Sequence, residues 1–292
     1  MKQYLLSESQ PFDLDSTLAC GQAFRWECRD GWWQGVVGTH WVRIRQDGNC
    51  LRYEGISESF LVRYFGLDLD LDAILASINR DPVIDRAIRQ YRGLRILRQD
   101  PWECLLSFIC AQNAHIPFIT RMITALAETF GDPVDAPWGD AHALPGAATL
   151  AACEPDALTC CRLGYRARYI HAAARRAADH PDWAARVRAR PQESGRQELM
   201  CFCGVGPKVA DCILLFAFSK WEAFPVDVWI RRIMSREYLP EEYPQKVLGC
   251  REYDKIRRFA QDYFGAYAGY AQEYLFVQSR SYRSEVKKRK KK

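Results

Sequence analysis

Lys208 stands at an unusual place for a lysine. It follows Cys203-Gly204-Val205-Gly206-Pro207 and leads into Val209-Ala210-Asp211-Cys212. A helix ending near Cys201 meets two glycines, and a second helix opens at Pro207, which suits a first helical position. Unpaired N–H groups crowd such a helix start, and their positive potential disfavours an ammonium. The position therefore predicts an amine pKa below the ordinary value. A neutral amine is a nucleophile. Nineteen residues on, Phe224-Pro225-Val226-Asp227 precedes an apolar helix carrying Ile230 and Ile233. Asp227 suits the N-cap. Held near Lys208, its carboxylate would also stabilise the positive charge that builds on a sugar as its base departs. Gly204 and Gly206 can take positive φ and let a phosphate approach the hairpin backbone. Each feature also has a structural reading: a helix–turn–helix packing joint, and a plain cap.

These groups need a scaffold, and the chain describes one. From about Phe24 to Tyr53, aromatic and β-branched residues alternate with polar residues and glycines, as in Trp41-Val42-Arg43-Ile44-Arg45. That pattern predicts antiparallel strands with tight turns. From Ser57 to Leu97 the period becomes helical. Asp100-Pro101-Trp102-Glu103 predicts a helix start with a capping box. Helices are then expected at about 117–130, 147–152, 155–161, 166–179, 182–188, 193–202, 207–218, 228–238, 251–264 and 268–279. The expected class is α+β: a β-rich domain with flanking helices over 1–98, then an all-α domain over 99–282 with its hairpin at 201–208. Val286 to Lys292 is almost entirely basic, and a disordered tail is expected from 283.

Hydrophobic residues make up 48% and charged residues 26% of the 292, as in a globular protein with a sizeable core. No apolar run approaches a membrane span, and the start is too short in apolar length for a signal peptide. The protein is read as intracellular: in the cytoplasm at a bacterial nucleoid, or in a eukaryotic nucleus. A net charge of +5 is modest. Its distribution says more, because Arg162, Arg166, Arg168, Arg175, Arg176, Arg186, Arg188 and Arg190 crowd one stretch. That stretch reads equally as a polyanion-binding face or a solvated helix face. The twelve cysteines lack metal-ligand spacing, and only Cys250 lies beyond Cys212, so no iron–sulfur cluster is expected. Most are expected to be buried as small hydrophobes.

Several segments now combine: Cys20-Gly21-Gln22-Ala23-Phe24-Arg25-Trp26, Asp100-Pro101-Trp102-Glu103-Cys104, Ser107 to Asn113, Leu163 to Tyr169, and Val205 to Cys212. Together with the Pro-Val-Asp segment they resemble the helix-hairpin-helix (HhH-GPD) glycosylase superfamily, and within it 8-oxoguanine DNA glycosylase/AP lyase of bacterial type. The resemblance covers about residues 14 to 280. It implies a TATA-binding-protein-like N-terminal sheet, base excision from double-stranded DNA by a monomer, and no metal or organic cofactor. Lys208 would attack the sugar C1′ and form a Schiff base, permitting β-elimination of the 3′ phosphate, and Asp227 would assist base departure. Gly21 would offer its carbonyl to the N7 hydrogen that distinguishes 8-oxoguanine from guanine. Gln272 would read the Watson–Crick edge, while Phe276 and Cys212 sandwich the flipped base. Asn113 would fill the gap left in the duplex, Tyr165 would wedge the stack, and Arg166 would contact the estranged cytosine. Arg168, Gly204, Gly206 and Trp229 are also expected on the DNA face.

Two departures stand out. Family members from eukaryotes carry an arginine five residues after the asparagine; here the residue is Phe118, which cannot make a charged bidentate contact to cytosine. Trp229 stands where the family often has histidine. Weaker insistence on cytosine opposite the lesion is expected. The alternatives are a related glycosylase for another damaged base, and a non-catalytic DNA-binding module. The missing iron–sulfur cysteines, the Gly21 segment and Lys208 weigh against the first. Lys208 itself weighs against the second.

Overall fold

Alternation in the N-terminal region produces β1 (Lys2–Leu5), β2 (Trp26–Arg29), β3 (Trp32–Val37), β4 (His40–Asp47) and β5 (Cys50–Glu54). The computed structural model describes residues 1–7, 9–240 and 249–289, with side chains as far as Arg280. The strands form one antiparallel sheet in the order β1-β5-β4-β3-β2. Ile44 lies between Trp33 and Tyr53 in register, and Val42, Ile44, Leu51 and Tyr53 turn their side chains into one buried face. The β1 strand lies outside the expected strand region, since four residues are too few to display alternation.

Helices α1 (Leu14–Ala19) and α2 (Glu58–Tyr64) close that face. Helices α3 (Leu71–Ile78), α4 (Pro82–Gln90), α5 (Pro101–Cys110), α6 (Ile116–Phe130), α7 (Ala147–Ala152), α8 (Arg166–Asp179), α9 (Trp183–Ala189), α10 (Gln192–Met200), α11 (Pro207–Phe218), α12 (Val228–Ile233), α13 (Cys250–Phe264) and α14 (Ala268–Arg289) follow. Pro155–Cys161 is a 3₁₀ turn, and Met234–Tyr238 continues α12 as a short π-helical segment. The class is therefore an N-terminal antiparallel sheet domain followed by a mainly helical one. The hydrophobic cores do not divide at residue 98. Helices α3 and α4 pack on α14 and, together with Leu94 and Ile96, share one hydrophobic core with the helices that follow residue 98.

Three expectations change. Asp100 caps α5 by accepting from the N–H groups of Trp102 and Glu103. Glu103, however, turns toward the sheet, where its carboxylate accepts from Arg25 at 3.2 Å and from the Gly38 N–H at 3.1 Å. The capping-box acid is thus spent on joining the two domains. At the other end, α14 carries its backbone helix to Arg289. The stretch from 283 was expected to be disordered, but it has no glycine or proline to stop a helix and is rich in Lys and Arg. Residues 290–292 of that tail lie outside the described residues. Five of the twelve cysteines are buried and five are exposed, against the expectation that most would be buried. The exposed ones sit at surface positions such as edge strand β2 and the 201–206 hairpin.

Candidate active site

A pocket of about 780 Å³ opens between α5, α6, α11, α12 and α14. Lys208, Asp227, Cys212, Gly21, Gln272, Phe276, Asn113 and Trp229, all expected site residues, line it. No described helix is long and apolar enough to cross a membrane.

Lys208 enters from the first turn of α11, where Gly206 is the N-cap and Pro207 the first helical residue. Its Nζ lies 5.2 Å from the centre of the Phe108 ring, a cation–π contact with α5. One turn on, the Cys212 thiol lies within hydrogen-bonding reach of the amine. The predicted direction of the lysine pKa is overturned. Burial pulls it down, but Cys212, Asp227 and Glu273 together outweigh burial and raise it above the ordinary lysine value. The helix start is one field among several, and a nearby carboxylate is stronger than partial N–H charges. Burial pushes the Cys212 thiol up to about 11, so it meets the site as a neutral, polarisable surface.

Asp227 is the expected helix cap, and it also lies close enough to Lys208 to act on it. Its Oδ1 caps α12, accepting from the Trp229 N–H at 2.9 Å and the Ile230 N–H at 2.8 Å. Its charge still acts on Lys208. Burial raises the carboxyl above its usual range, opposed by the two N–H bonds and by Lys208.

The facing wall is α14. Gln272 is 5% exposed and presents an Oε1 with no hydrogen-bond partner among the described residues. Phe276, one turn later, is partly exposed into the pocket. Gly21 lies at the rim with φ +104, a conformation that favours glycine, and a Cβ there would come within 3.0 Å of Arg280. Gln22 anchors this loop. Its Nε2 donates to Thr17 O and Arg95 O, its Oε1 accepts from the Leu97 N–H, and its carbonyl accepts from Gln99.

At the edge of the pocket, the Asn113 side chain donates to Tyr165 Oη at 3.1 Å, which joins the expected gap filler to the expected wedge. Asn113 itself takes φ +48, and Tyr165 is 42% exposed. Gln112 Nε2 donates to Gly204 O at 2.9 Å, which links this corner to the hairpin. Gly204 has φ +83, whereas Gly206 has φ −92, so only the first of the two glycines uses left-handed freedom. Arg168 stacks on Tyr169. Arg166 does not face outward as expected. It is 5% exposed, and its guanidinium donates to Gln112 O and Leu163 O beneath the Tyr165 ring. Phe118 is half-buried and stacks on His115, whose side chain lines the pocket mouth. The arginine-rich stretch is partly spent internally, because Arg176, Arg186 and Arg190 converge on Glu198.

Sequence reasoning missed two pocket residues on α14. Glu273 is 2% exposed, and its carboxyl is pushed by burial up to about 7. Arg280 donates to Cys20 O and stacks over Phe276 at 5.4 Å. An acid inside the apolar run Ala271-Gln272-Glu273-Tyr274-Leu275-Phe276 was the available signal for the first. No comparable signal pointed to the second.

Comparison with known proteins finds similarity along most of the chain. Residues 4–105 match the family described as 8-oxoguanine DNA glycosylase, N-terminal domain, and residues 106–251 match the HhH-GPD superfamily of base excision DNA repair proteins. The chain is 32% identical to an N-glycosylase/DNA lyase of Saccharomyces cerevisiae, over 90% of this chain and 82% of that protein. It is 31% identical to a probable N-glycosylase/DNA lyase of Methanothermobacter thermautotrophicus, over 92% of this chain and 94% of that protein. It superimposes with a TM-score of 0.85 on the Clostridium acetobutylicum 8-oxoguanine glycosylase/lyase in complex with DNA containing cytosine opposite 8-oxoguanine, at 32% identity and 93% coverage of each chain.

Proposed function

The chain belongs to the HhH-GPD superfamily of base excision DNA repair proteins, among its glycosylase/lyases, and we propose that it excises 8-oxoguanine from double-stranded DNA and then nicks the strand, acting as an intracellular monomer of the bacterial type. The observation that carries this reading is one pocket lined together by Lys208, Asp227, Cys212 and Phe276. Lys208 first loses a proton. The C1′–N9 bond breaks with its electron pair leaving on the base, which takes up one proton in place of the one Lys208 has lost, and the free amine then bonds C1′. Asp227 stabilises the oxocarbenium-like charge between these events. The aminal opens to a Schiff base, which acidifies C2′–H, and loss of that proton expels the 3′ phosphate. Gly21 and Gln272 address the base edge. Asn113 and Tyr165, already hydrogen-bonded to each other, occupy the duplex gap. Phe118 leaves the opposite cytosine without a charged reader, so adenine is tolerated opposite the lesion better than an arginine would allow. Arg166 must turn outward to touch that strand.

Borohydride trapping tests the reading. Duplexes carrying one 8-oxoguanine opposite cytosine or adenine are incubated with wild type and Lys208→Gln, then reduced. A covalent band is expected with wild type only, on both duplexes, and not on undamaged DNA. An equal band with Lys208→Gln moves the nucleophile elsewhere. Tight binding without any band leaves a binding module, and trapping only on another damaged base assigns a different substrate.

A further inference from the structure

Gln272 and Glu273 are consecutive, both line the pocket, and both are buried. The Oε1 of each has no hydrogen-bond partner among the described residues. Unpartnered buried oxygens are costly, and a ligand is a means of satisfying them. Both side chains can offer an acceptor beside a donor: Gln272 through its amide, and Glu273 through its carboxyl in the protonated form. Consecutive helical positions point about 100° apart, so the two groups address different edges of one bound base. Glu273 is directed toward the Gly21 end, because it lies within hydrogen-bonding reach of the Cys20 thiol. Arg280, the other polar group there, is already committed to Cys20 O and to the face of Phe276.

8-Oxoguanine differs from guanine along one edge. It carries N7–H and C8=O where guanine has a bare N7 and a C–H. The Gly21 carbonyl can accept from N7–H, which leaves O8 in need of a donor. We propose that Glu273 is a specificity-determining residue whose carboxyl O–H donates to O8, its second oxygen lying against N7–H beside the Gly21 carbonyl. This rests on the 8-oxoguanine reading given above. The protonation it requires is favoured by burial, which prevails over Cys20, Arg280 and Lys208, with Asp227 adding to the upward push. Guanine offers no acceptor at C8, so its entry would leave the carboxyl unsatisfied. A site built to bond a polar group rejects the analogue that lacks it.

The test compares binding of duplexes containing 8-oxoguanine or guanine opposite cytosine, in a Lys208→Gln background that prevents turnover. The readout is the ratio of the two dissociation constants within each protein, from which the folded fraction cancels. Glu273→Ala is expected to lower that ratio about tenfold. Glu273→Gln, which keeps an acceptor beside a donor, is expected to stay within about threefold of the parent. An unchanged ratio in the alanine variant overturns the proposal, as does a glutamine variant that falls as far as alanine. If the parent itself shows no preference for 8-oxoguanine, the functional reading fails first, and that is seen before any substitution at 273.

Discussion

At Lys208 two opposing fields meet. The helix start and burial favour the free amine, while Cys212, Asp227 and Glu273 favour the ammonium and prevail. Below a raised pKa the free-amine fraction grows about tenfold per pH unit. The single-turnover excision rate is therefore expected to climb from neutral pH into the alkaline range, with log rate rising at a slope near one and no plateau by pH 8. A plateau in the neutral range would mean that the substrate-bound amine has a depressed pKa after all. The lysine, the aspartate and the cysteine were legible in the sequence, because a helix start, a cap and a four-residue spacing are local features. The direction of the lysine pKa was not, because besides burial and Cys212 it depends on carboxyls that lie 19 and 65 residues away along the chain and meet it only through folding. The inward turn of Arg166 was hidden for the same reason. Its partners include Gln112 O, on a different helix end.

The hairpin between α10 and α11 gives the element-scale case. The sequence presents Gly204 and Gly206 as equivalents, but the fold treats them differently. A Cβ at Gly204 would lie 2.7 Å from the Tyr169 ring at φ +83, whereas one at Gly206 meets nothing within 4 Å. Gly204→Ala is expected to cost about 2 kcal/mol through left-handed strain and displacement of Tyr169. It should also weaken binding to undamaged DNA, because Gln112 holds Gly204 O beside the Asn113–Tyr165 corner. Gly206→Ala should cost well under about 1 kcal/mol. Thermal melts and a salt-controlled DNA titration of both variants check this, and equal losses at the two positions would refute the asymmetry. Helix positions along the C-terminal part were legible from period and punctuation, with Gly131-Asp132-Pro133 and Leu144-Pro145-Gly146 marking breaks. The destination of Glu103 was not. A capping box and an interdomain ion pair need the same residue type, and only the packing of Arg25 and Gly38 decides between them.

Across the whole molecule, the acids that hold the helical domain and the site together are buried more deeply than their partners can offset. Asp211 is fully buried, accepts from Tyr253 Oη at 2.5 Å and faces Arg196 between α10, α11 and α13, yet burial still pushes it up to about 7. Glu273 reaches about 7 as well, and Glu103 and Asp227 are raised for the same first reason. A carboxyl whose folded pKa lies above its unfolded value binds protons more tightly when folded. Its contribution is complete below the unfolded pKa, about 4, and is lost as pH rises through the folded value. Stability should therefore fall between about pH 4 and 7, opposite to proteins whose acids are held low by ion pairs. The melting temperature is expected to be about 5 °C or more higher at pH 5 than at pH 8. Asp211→Asn, which can keep the Tyr253 contact, should flatten part of that slope, and Glu273→Gln another part. A melting temperature that is level or rising from pH 5 to pH 8 in wild type would show that the arginines hold these acids ionised. The two substitutions separate the causes. A slope removed at Asp211 belongs to the joint under the hairpin, whereas a slope removed at Glu273 is stability given up by the pocket to keep a proton where a base edge can meet it.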